Sequence, residues 1–332
     1  MQKEMVTIEK LVKKFGDFTA LNGIDLTVRK GEIFGILGPN GAGKTTTINT
    51  ILTLLKPTSG RVFVDGFNVL NHPEVTKQKI GFLTQETVVE GDLTARENLV
   101  LFSELYHIPK AQIDSKVADA LDEAELTVFA DKKASTFSGG MQRRLALVRA
   151  MIQQPELLML DEPTTGLDVQ NRTSMWKRIR DLNKKGVTII LTTQYLEEAD
   201  ELCDRLAIVD HGRVIALGTP SEIKRIIGEN VLEILVKLGD AQKVASILKA
   251  KFGITATANG ERVRAMMMNR KGLLARISET LDTEEIPVLA ISLHLPTLDD
   301  VFIKLTGGGL RDAIDKNSNT ATRAGMMFSW KR

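Results

Sequence analysis

Cysteine occurs once, as Cys203, so no disulfide can form within the chain, in agreement with a reducing compartment. Long apolar runs are missing as well. No stretch reaches the ~18 uninterrupted apolar residues that a membrane helix needs, so any membrane span must come from another chain. The opening Met1-Gln2-Lys3-Glu4-Met5 carries charge with no apolar core behind it, and no secretory signal is expected. Charge of one sign is also lacking: 44 basic residues stand against 42 acidic ones, a net charge of +2. So even a balance offers no strong field to a polyanion, and nucleic acid is not an expected partner. Nor is there a sustained heptad repeat that would build a long coiled coil. What remains is an ordinary globular composition, 43% hydrophobic and 26% charged, in 332 residues. That length suffices for one large domain and a smaller one.

From residue 1 to about 225, short β-rich runs alternate with helical patterns. Gly31 to Leu37 reads as a buried strand, followed by a glycine loop and a helix from Lys44 to about Leu55. Further buried strands are expected at Ile80 to Leu83, Leu157 to Leu160, Val187 to Thr192 and Arg205 to Val209. Apolar strands separated by helices point to an α/β domain with a largely parallel sheet. Between about 93 and 154 the pattern is wholly helical. Thr94-Ala95-Arg96-Glu97 is a capping box opening a helix through Tyr106. Pro109 suits the first turn of the next helix, where Ile113, Val117, Ala120, Leu121 and Ala124 share one face. From 231 to 307 a second unit reads β-α-β-β-α-β, with strands at Val231 to Leu238, Ile254 to Ala258, Arg262 to Met268 and Val288 to Leu293, and helices at Ala241 to Lys251 and Lys271 to Leu281. Asn259-Gly260 supplies the hairpin turn, and the order is that of a ferredoxin-like α+β unit. The stretch 308–332, after Gly307-Gly308-Gly309, reads as a flexible tail.

Two motifs carry chemistry. Gly38-Pro39-Asn40-Gly41-Ala42-Gly43-Lys44-Thr45 fits G-x-x-x-x-G-K-[ST] between a strand and a helix. Glycines let successive N–H groups turn toward a phosphate, and the helix start adds its positive end. Lys44 is expected to reach the β- and γ-phosphates of ATP, Thr45 to ligate Mg²⁺, and Thr46 to complete the nucleotide contacts. A chance lysine beside a glycine turn is the plainer alternative, but it leaves the strand and helix on either side unexplained. Leu157 to Leu160 then leads into Asp161-Glu162, two carboxylates at the carboxyl edge of the sheet. Asp161 is expected at Mg²⁺ and Glu162 as the base that polarises a water for attack on the γ-phosphate. The plainer alternative is that both acids cap the turn at Pro163.

A third motif makes the family recognisable. Thr136-Phe137-Ser138-Gly139-Gly140-Met141, running into Gln142-Arg143-Arg144-Leu145, resembles the signature loop of ABC ATPases, with Met141 where glutamine is commonest. Ser138 with Gly139 and Gly140 at a helix start makes a second anion site, or otherwise simply a Ser-capped helix. The resemblance covers residues 5 to 225. It implies a P-loop NTPase fold, with ATP and Mg²⁺ bound between two chains of a head-to-tail homodimer or heterodimer. Ser138, Gly139 and Gly140 would hold the γ-phosphate bound to the partner. It further implies that Gln85 senses Mg²⁺ and couples to a membrane partner, that Gly166-Leu167-Asp168 contacts the second subunit, and that Phe15 stacks on adenine. Simple core packing is the alternative for Phe15.

One position departs from the family. After Gly186 to Thr193, where a histidine is usual, stands Gln194, and none of His72, His107, His211 or His294 follows that strand. A glutamine amide can still donate to a phosphate oxygen but does not titrate near neutrality. Hydrolysis is expected to survive; a site that only binds ATP, as in a regulatory module, is the alternative. Gln194 together with the appended unit and its ending, Leu298-Asp299-Asp300-Val301-Phe302-Ile303-Lys304-Leu305-Thr306-Gly307, resembles daunorubicin-resistance-type drug-export ATPases. That implies a cytoplasmic ATPase, peripheral on the inner face of the cell membrane, paired with integral membrane permease chains. The competing class is a soluble ABC ATPase acting on ribosomes or DNA. Members acting in translation usually carry two cassettes, and DNA-repair members insert a coiled coil; this chain has one cassette and no such insertion. Met266-Met267-Met268 reads as packing rather than a soft-metal site, since neighbouring strand residues face opposite ways. Met326 to Arg332 could touch a membrane interface but reads more simply as part of the flexible tail.

Overall fold

The structure, a computed structural model, describes residues 3–86, 89–227, 230–267 and 272–306. The expected tail at 308–332, with its Met326 to Arg332 ending, lies outside these residues, as do Met268, Lys271 and Gly307. The chain forms two units, one running to Pro220 and one beginning at Ser221.

The first unit opens on two long strands, β1 (Glu4–Phe15) and β2 (Phe18–Arg29), which turn at Gly16-Asp17 and pair Phe15 with Phe18. β3 (Ile33–Leu37) follows, buried at every position, and delivers the chain through the glycine loop into α1 (Lys44–Ile51). That helix stops short of Leu55 because Thr53 takes a left-handed backbone, φ 63°. β4 (Ser59–Val64) pairs antiparallel with β1, and β5 (Phe67–Asn68) antiparallel with β4, completing a sheet ordered β2-β1-β4-β5. α2 (Pro73–Gln78) then leads to β6 (Ile80–Leu83).

The helical stretch comprises α3 (Ala95–Leu105), α4 (Lys110–Glu123) and α5 (Gly139–Met151), with two short 3₁₀ turns between the last two. The capping box forms: Thr94 Oγ1 accepts from Glu97 N–H, and Glu97 Oε2 accepts from Thr94 N–H. Pro109 occupies the N-cap position, one residue before the first turn. Ile113, Val117 and Leu121 pack with Leu99, Leu145 and Val148 in a separate core.

β7 (Leu157–Asp161), α6 (Val169–Lys184), β8 (Thr188–Thr193), α7 (Leu196–Leu202), β9 (Arg205–Asp210) and β10 (Arg213–Gly218) complete the unit. The central sheet is ordered β10-β9-β3-β8-β7-β6; every pair is parallel except β9 with β10. Burial of β3, β7 and β8 at every position explains their near-continuous apolar sequence. Phe34, Ile36, Met159 and Ile190 of this sheet share one core with Ile48 of α1 and with Ile8 and Leu26 of the antiparallel sheet.

α8 (Pro220–Arg225) falls at the division. Beyond it come β11 (Asn230–Val236), α9 (Ala241–Phe252), β12 (Ala256–Asn259), β13 (Arg262–Met267), α10 (Leu273–Thr283), β14 (Val288–His294) and α11 (Leu298–Thr306). The strands pair antiparallel in the order β12-β13-β11-β14, the ferredoxin-like arrangement. Leu232, Ile234, Val244, Val263, Ile277 and Leu281 form its core. Met267 is buried and Met266 half-buried on the other side of the strand, in keeping with packing. α11 went unread in the sequence, although Thr297 and Asp300 cap its start reciprocally.

Gly81 on β6 lies hard against α5, and a Cβ there would collide with the Ala150 carbonyl and crowd Pro155. Gly81→Ala should therefore lose about 1–3 kcal/mol or more of stability. Urea denaturation of the purified protein measures this, and an unchanged midpoint would mean that α5 can move away freely.

Candidate active site

Register decides what meets at the sheet's carboxyl edge. Leu83 pairs with Leu160, Asp161 with Thr192, and Leu37 with Thr193, so β6, β7, β8 and β3 all end at one level. The residues that follow these ends are Gln85, Glu162, Gln194 and the loop from Gly38. That loop is pressed against its neighbours: a Cβ on Gly38 would strike the Val209 carbonyl, and one on Gly43, φ 106°, would meet Leu21 and Ala20. Pro39, Asn40 and Gly41 form the loop's outer part, while Ala42 is buried. Lys44 is buried at the start of α1 and donates from Nζ to the carbonyls of Gly38 (2.8 Å) and Pro39 (3.2 Å). Burial pulls its ammonium below the usual lysine range, with Glu162 and Asp161 pushing the other way.

Asp161 binds across the edge. Its Oδ2 accepts from Thr45 Oγ1 at 3.3 Å, and its Oδ1 accepts a short bond from Thr192 Oγ1. Glu162, 5% exposed, adopts a left-handed backbone at φ 47°. Such strain costs about 1–3 kcal/mol and persists only where the surroundings fix it. Its N–H donates to the carbonyl and the hydroxyl of Thr192, both at 3.1 Å. The turn carries its side chain back over the edge, with Oε1 3.8 Å from Lys44 Nζ. Oε2 accepts from Gln85 Nε2 at 3.2 Å, Gln194 Nε2 at 3.3 Å and Thr165 Oγ1 at 3.1 Å. Gln194 thus touches the carboxylate itself, and its Oε1 is buried without a hydrogen-bond partner among the described residues.

Other residues singled out in the sequence lie apart from this cluster. Phe15 is 49% exposed at the hairpin tip, with Lys13 Nζ 4.9 Å from its ring centroid, so it is no core residue. Thr46 sits half-buried in the first turn of α1. Ser138 caps α5, its Oγ accepting from Met141 N–H at 3.3 Å; Gly139 is exposed, while Gly140 faces Asn171. No hydrogen bond or ion pair among the described residues joins these three to the loop from Gly38. Sequence reasoning passed over Thr192, Thr165 and Arg143. The two threonines carry no signal beyond their place beside a strand end. Arg143 does carry one, a basic residue on the same helical face as Gly140 and Leu147, both buried.

Residues 21–165 match the family described as ABC transporter, and residues 218–306 match the ATP-binding protein DrrA1-3-like, C-terminal domain. The daunorubicin resistance ATP-binding protein DrrA3 of Streptomyces coeruleorubidus is 38% identical over 94% of this chain and 98% of its own length. The chain belongs to the ABC transporter ATP-binding family. A further relative, the Nod factor export ATP-binding protein I of Ralstonia nicotianae, is 38% identical over 93% of this chain and 95% of that protein. Among solved structures, a dimeric ATP-binding cassette in a post-hydrolysis state with ADP and Pi is 30% identical, with a TM-score of 0.59, over 65% of this chain and 98% of that one. This ABC subunit accordingly binds and hydrolyses ATP.

Behind Gln194, Glu198 of α7 is fully buried; its Oε1 accepts from Thr164 Oγ1 (2.8 Å) and Trp176 Nε1 (2.9 Å). Burial raises its carboxyl above the ordinary 4.5, against the pull of hydrogen-bond donors and of Arg172. A raised folded-state value means that the folded protein holds the proton more tightly than the unfolded chain. The stability this contributes is complete below 4.5 and is lost as pH rises through the folded-state value. Glu198→Gln keeps an acceptor for both donors and removes the titration. Its urea midpoint should fall less steeply than that of the unsubstituted protein as pH rises from 4.5, and an identical slope would exclude Glu198 as the titrating group.

Proposed function

We propose that Glu162 is the general base for ATP hydrolysis in this subunit, and that two subunits close head to tail around two ATPs to drive export through separate membrane permease chains. The observation that carries this reading is the convergence of Gln85, Thr165 and Gln194 on one Glu162 oxygen, with Lys44 beside the other. These contacts aim a buried carboxylate at the space above the Gly38 loop.

The residues fit ATP and Mg²⁺. The loop is a cradle whose glycines leave no Cβ against the backbone, and Thr45, Asp161 and Gln85 offer the hard oxygen donors that Mg²⁺ prefers. Magnesium, when bound, offsets negative charge on the phosphate oxygens. Lys44 would exchange its bonds to its own loop's carbonyls for the β- and γ-phosphates. Phe15, exposed at the hairpin tip, offers a flat face for adenine. In the chemical step Glu162 accepts a proton from water as its oxygen bonds the γ-phosphorus, and the bond to the bridging oxygen breaks, leaving ADP and phosphate. The Gln194 amide orients Glu162 through its Nε2 and keeps its Oε1 for the attacking water.

Ser138 and Gly139 are exposed at the helix start, with Gly140 buried just behind them, which suits this loop to the γ-phosphate bound by a second subunit. ATP and ADP then differ in their contacts across the dimer, and that difference is what a conformational switch requires. Permease helices would dock near Gln85, holding the subunit at the inner face of the membrane. No helix among the described residues is long and apolar enough to cross a membrane. The relatives carry the names of daunorubicin resistance and of Nod factor export, and they match along both units of this chain. Different cargoes on one ATPase design support selection of cargo by the permease.

Glu162→Gln should lower ATP turnover by about 10²–10⁴-fold and accumulate ATP-bound dimers by size-exclusion chromatography. A monomer saturated with ATP would count against the clamp. The same variant, tagged and isolated with ATP and Mg²⁺ from gently solubilised cells, should bring down an integral membrane chain. Ribosomal or DNA-bound partners in its place would support a soluble ABC ATPase. Gln194→His should keep hydrolysis and add to the pH–rate profile a limb near the ordinary histidine value of about 6.5. An unchanged rate and profile would remove Gln194 from the chemistry.

A further inference from the structure

Arg143, at 2% exposure, heads the largest fully buried side chains among the described residues. It lies on α5, the helix opened by Ser138, and its guanidinium faces the carboxyl edge of the central sheet. Nε donates to the Pro163 carbonyl at 2.8 Å. Nη1 donates to the carbonyls of Thr84 (2.7 Å) and Gln85 (3.1 Å), and Nη2 to those of Asp161 (3.3 Å) and Glu162 (2.9 Å). Each of these five bonds ends on the backbone, and they join the residues leaving β6 to those leaving β7.

Those segments carry the side chains that meet at the site. Gln85 and Glu162 are joined by their own side-chain bond at 3.2 Å. Glu162 holds a left-handed backbone, and its N–H is already tied to Thr192. Its carbonyl is tied to Arg143, so the residue is fixed on both sides. A guanidinium suits this task, because its planar fork of donors can bridge two segments with little loss of rotamer freedom. Burial lowers its pKa to about 10, with Glu198, Asp161 and Glu162 pushing upward, so it stays charged near neutrality.

We propose that Arg143 is a positioning residue for hydrolysis: one guanidinium locks the backbones of Gln85 and Glu162 together and so sets the aim of the catalytic carboxylate. The inference rests on Glu162 being the base. It gives α5 a mechanical hold on that base, separate from any contact that Ser138 makes.

The test uses the full chain carrying Arg143→Gln or Arg143→Lys, each alone and combined with Glu162→Gln. It measures ATP affinity with a fluorescent ATP analogue and hydrolysis by single-turnover kinetics. Arg143→Gln should cut the hydrolysis rate about 10- to 100-fold, the loss expected when a reacting group is misplaced by about an ångström. ATP affinity should stay within about threefold, the pattern of a role confined to the transition state. Arg143→Lys, which keeps the charge but reaches fewer carbonyls, should fall between. In the Glu162→Gln background, Arg143→Gln should cost less than about twofold more, because two residues acting through one step are not additive. An undiminished rate, an equal loss of rate and affinity, or a full additive loss in that background overturns the inference. Should Arg143→Gln fail to fold, Arg143→Lys is judged by the same criteria. A Glu162→Gln protein that hydrolyses normally overturns the base assignment and this inference with it. Loss in Glu162→Gln beside fully active Arg143 variants overturns the inference alone.

Discussion

Asp161 and Glu162 put two carboxylates at 4% and 5% exposure at the end of a strand with no exposed residue. Burying one such charge costs several kcal/mol or more unless donors reach it, and here two are adjacent. The donors come from parts of the chain far apart in sequence: Thr45 at the start of α1, Gln85 after β6, Thr192 on β8 and Gln194 just beyond it. A parallel sheet brings them together, because all its strands finish at one edge and their registers are fixed by pairing. Lys44 completes the balance, its buried ammonium held near both acids. The loop, the strand order and the helical stretch that supplies Arg143 all help to hold negative charge at this edge.

How far this was legible depends on how local each signal is. Strands β3, β6, β7, β8 and β9 stand out as short apolar runs because burial on both faces removes the need for alternation. The Gly38 loop, the acidic pair and the Thr94 cap are motifs of a few residues, and each forms as its spacing predicts. β1 and β2 escaped notice because their register shifts near Ile8, Leu11 and Val12 break the two-residue period. β1 also carries Lys10, Lys13 and Lys14. Arg143 sat in view within a recognised motif, yet its role depends on two loops that only the folded chain brings to it. The bond between Gln194 and Glu162 was hidden for the same reason, since the two residues lie 32 positions apart and meet only where β7 and β8 end side by side.

The second unit shows the opposite case, where local order carried nearly the whole topology. Alternating burial along β11 and β13 and the Asn259-Gly260 turn fix a four-stranded antiparallel sheet. Among the described residues no group of acids, histidines or cysteine there could hold a metal ion. Its ion pairs, such as Arg262 and Arg264 with Glu233, are partly exposed and contribute little to stability.

The replacement of the family's usual histidine by Gln194 alters more than one contact. A histidine at this edge would gain a proton below about pH 6.5, adding a positive charge within reach of Glu162. An amide adds no such charge. With Gln85 and Gln194 both neutral and both donating to one oxygen, the aim of Glu162 is set by geometry across the physiological range. Glu198, whose carboxyl pKa burial raises, lies behind the edge and is bonded to Thr164 in the turn that also carries Thr165. The substitution thus takes one source of pH dependence away from the edge that carries Glu162.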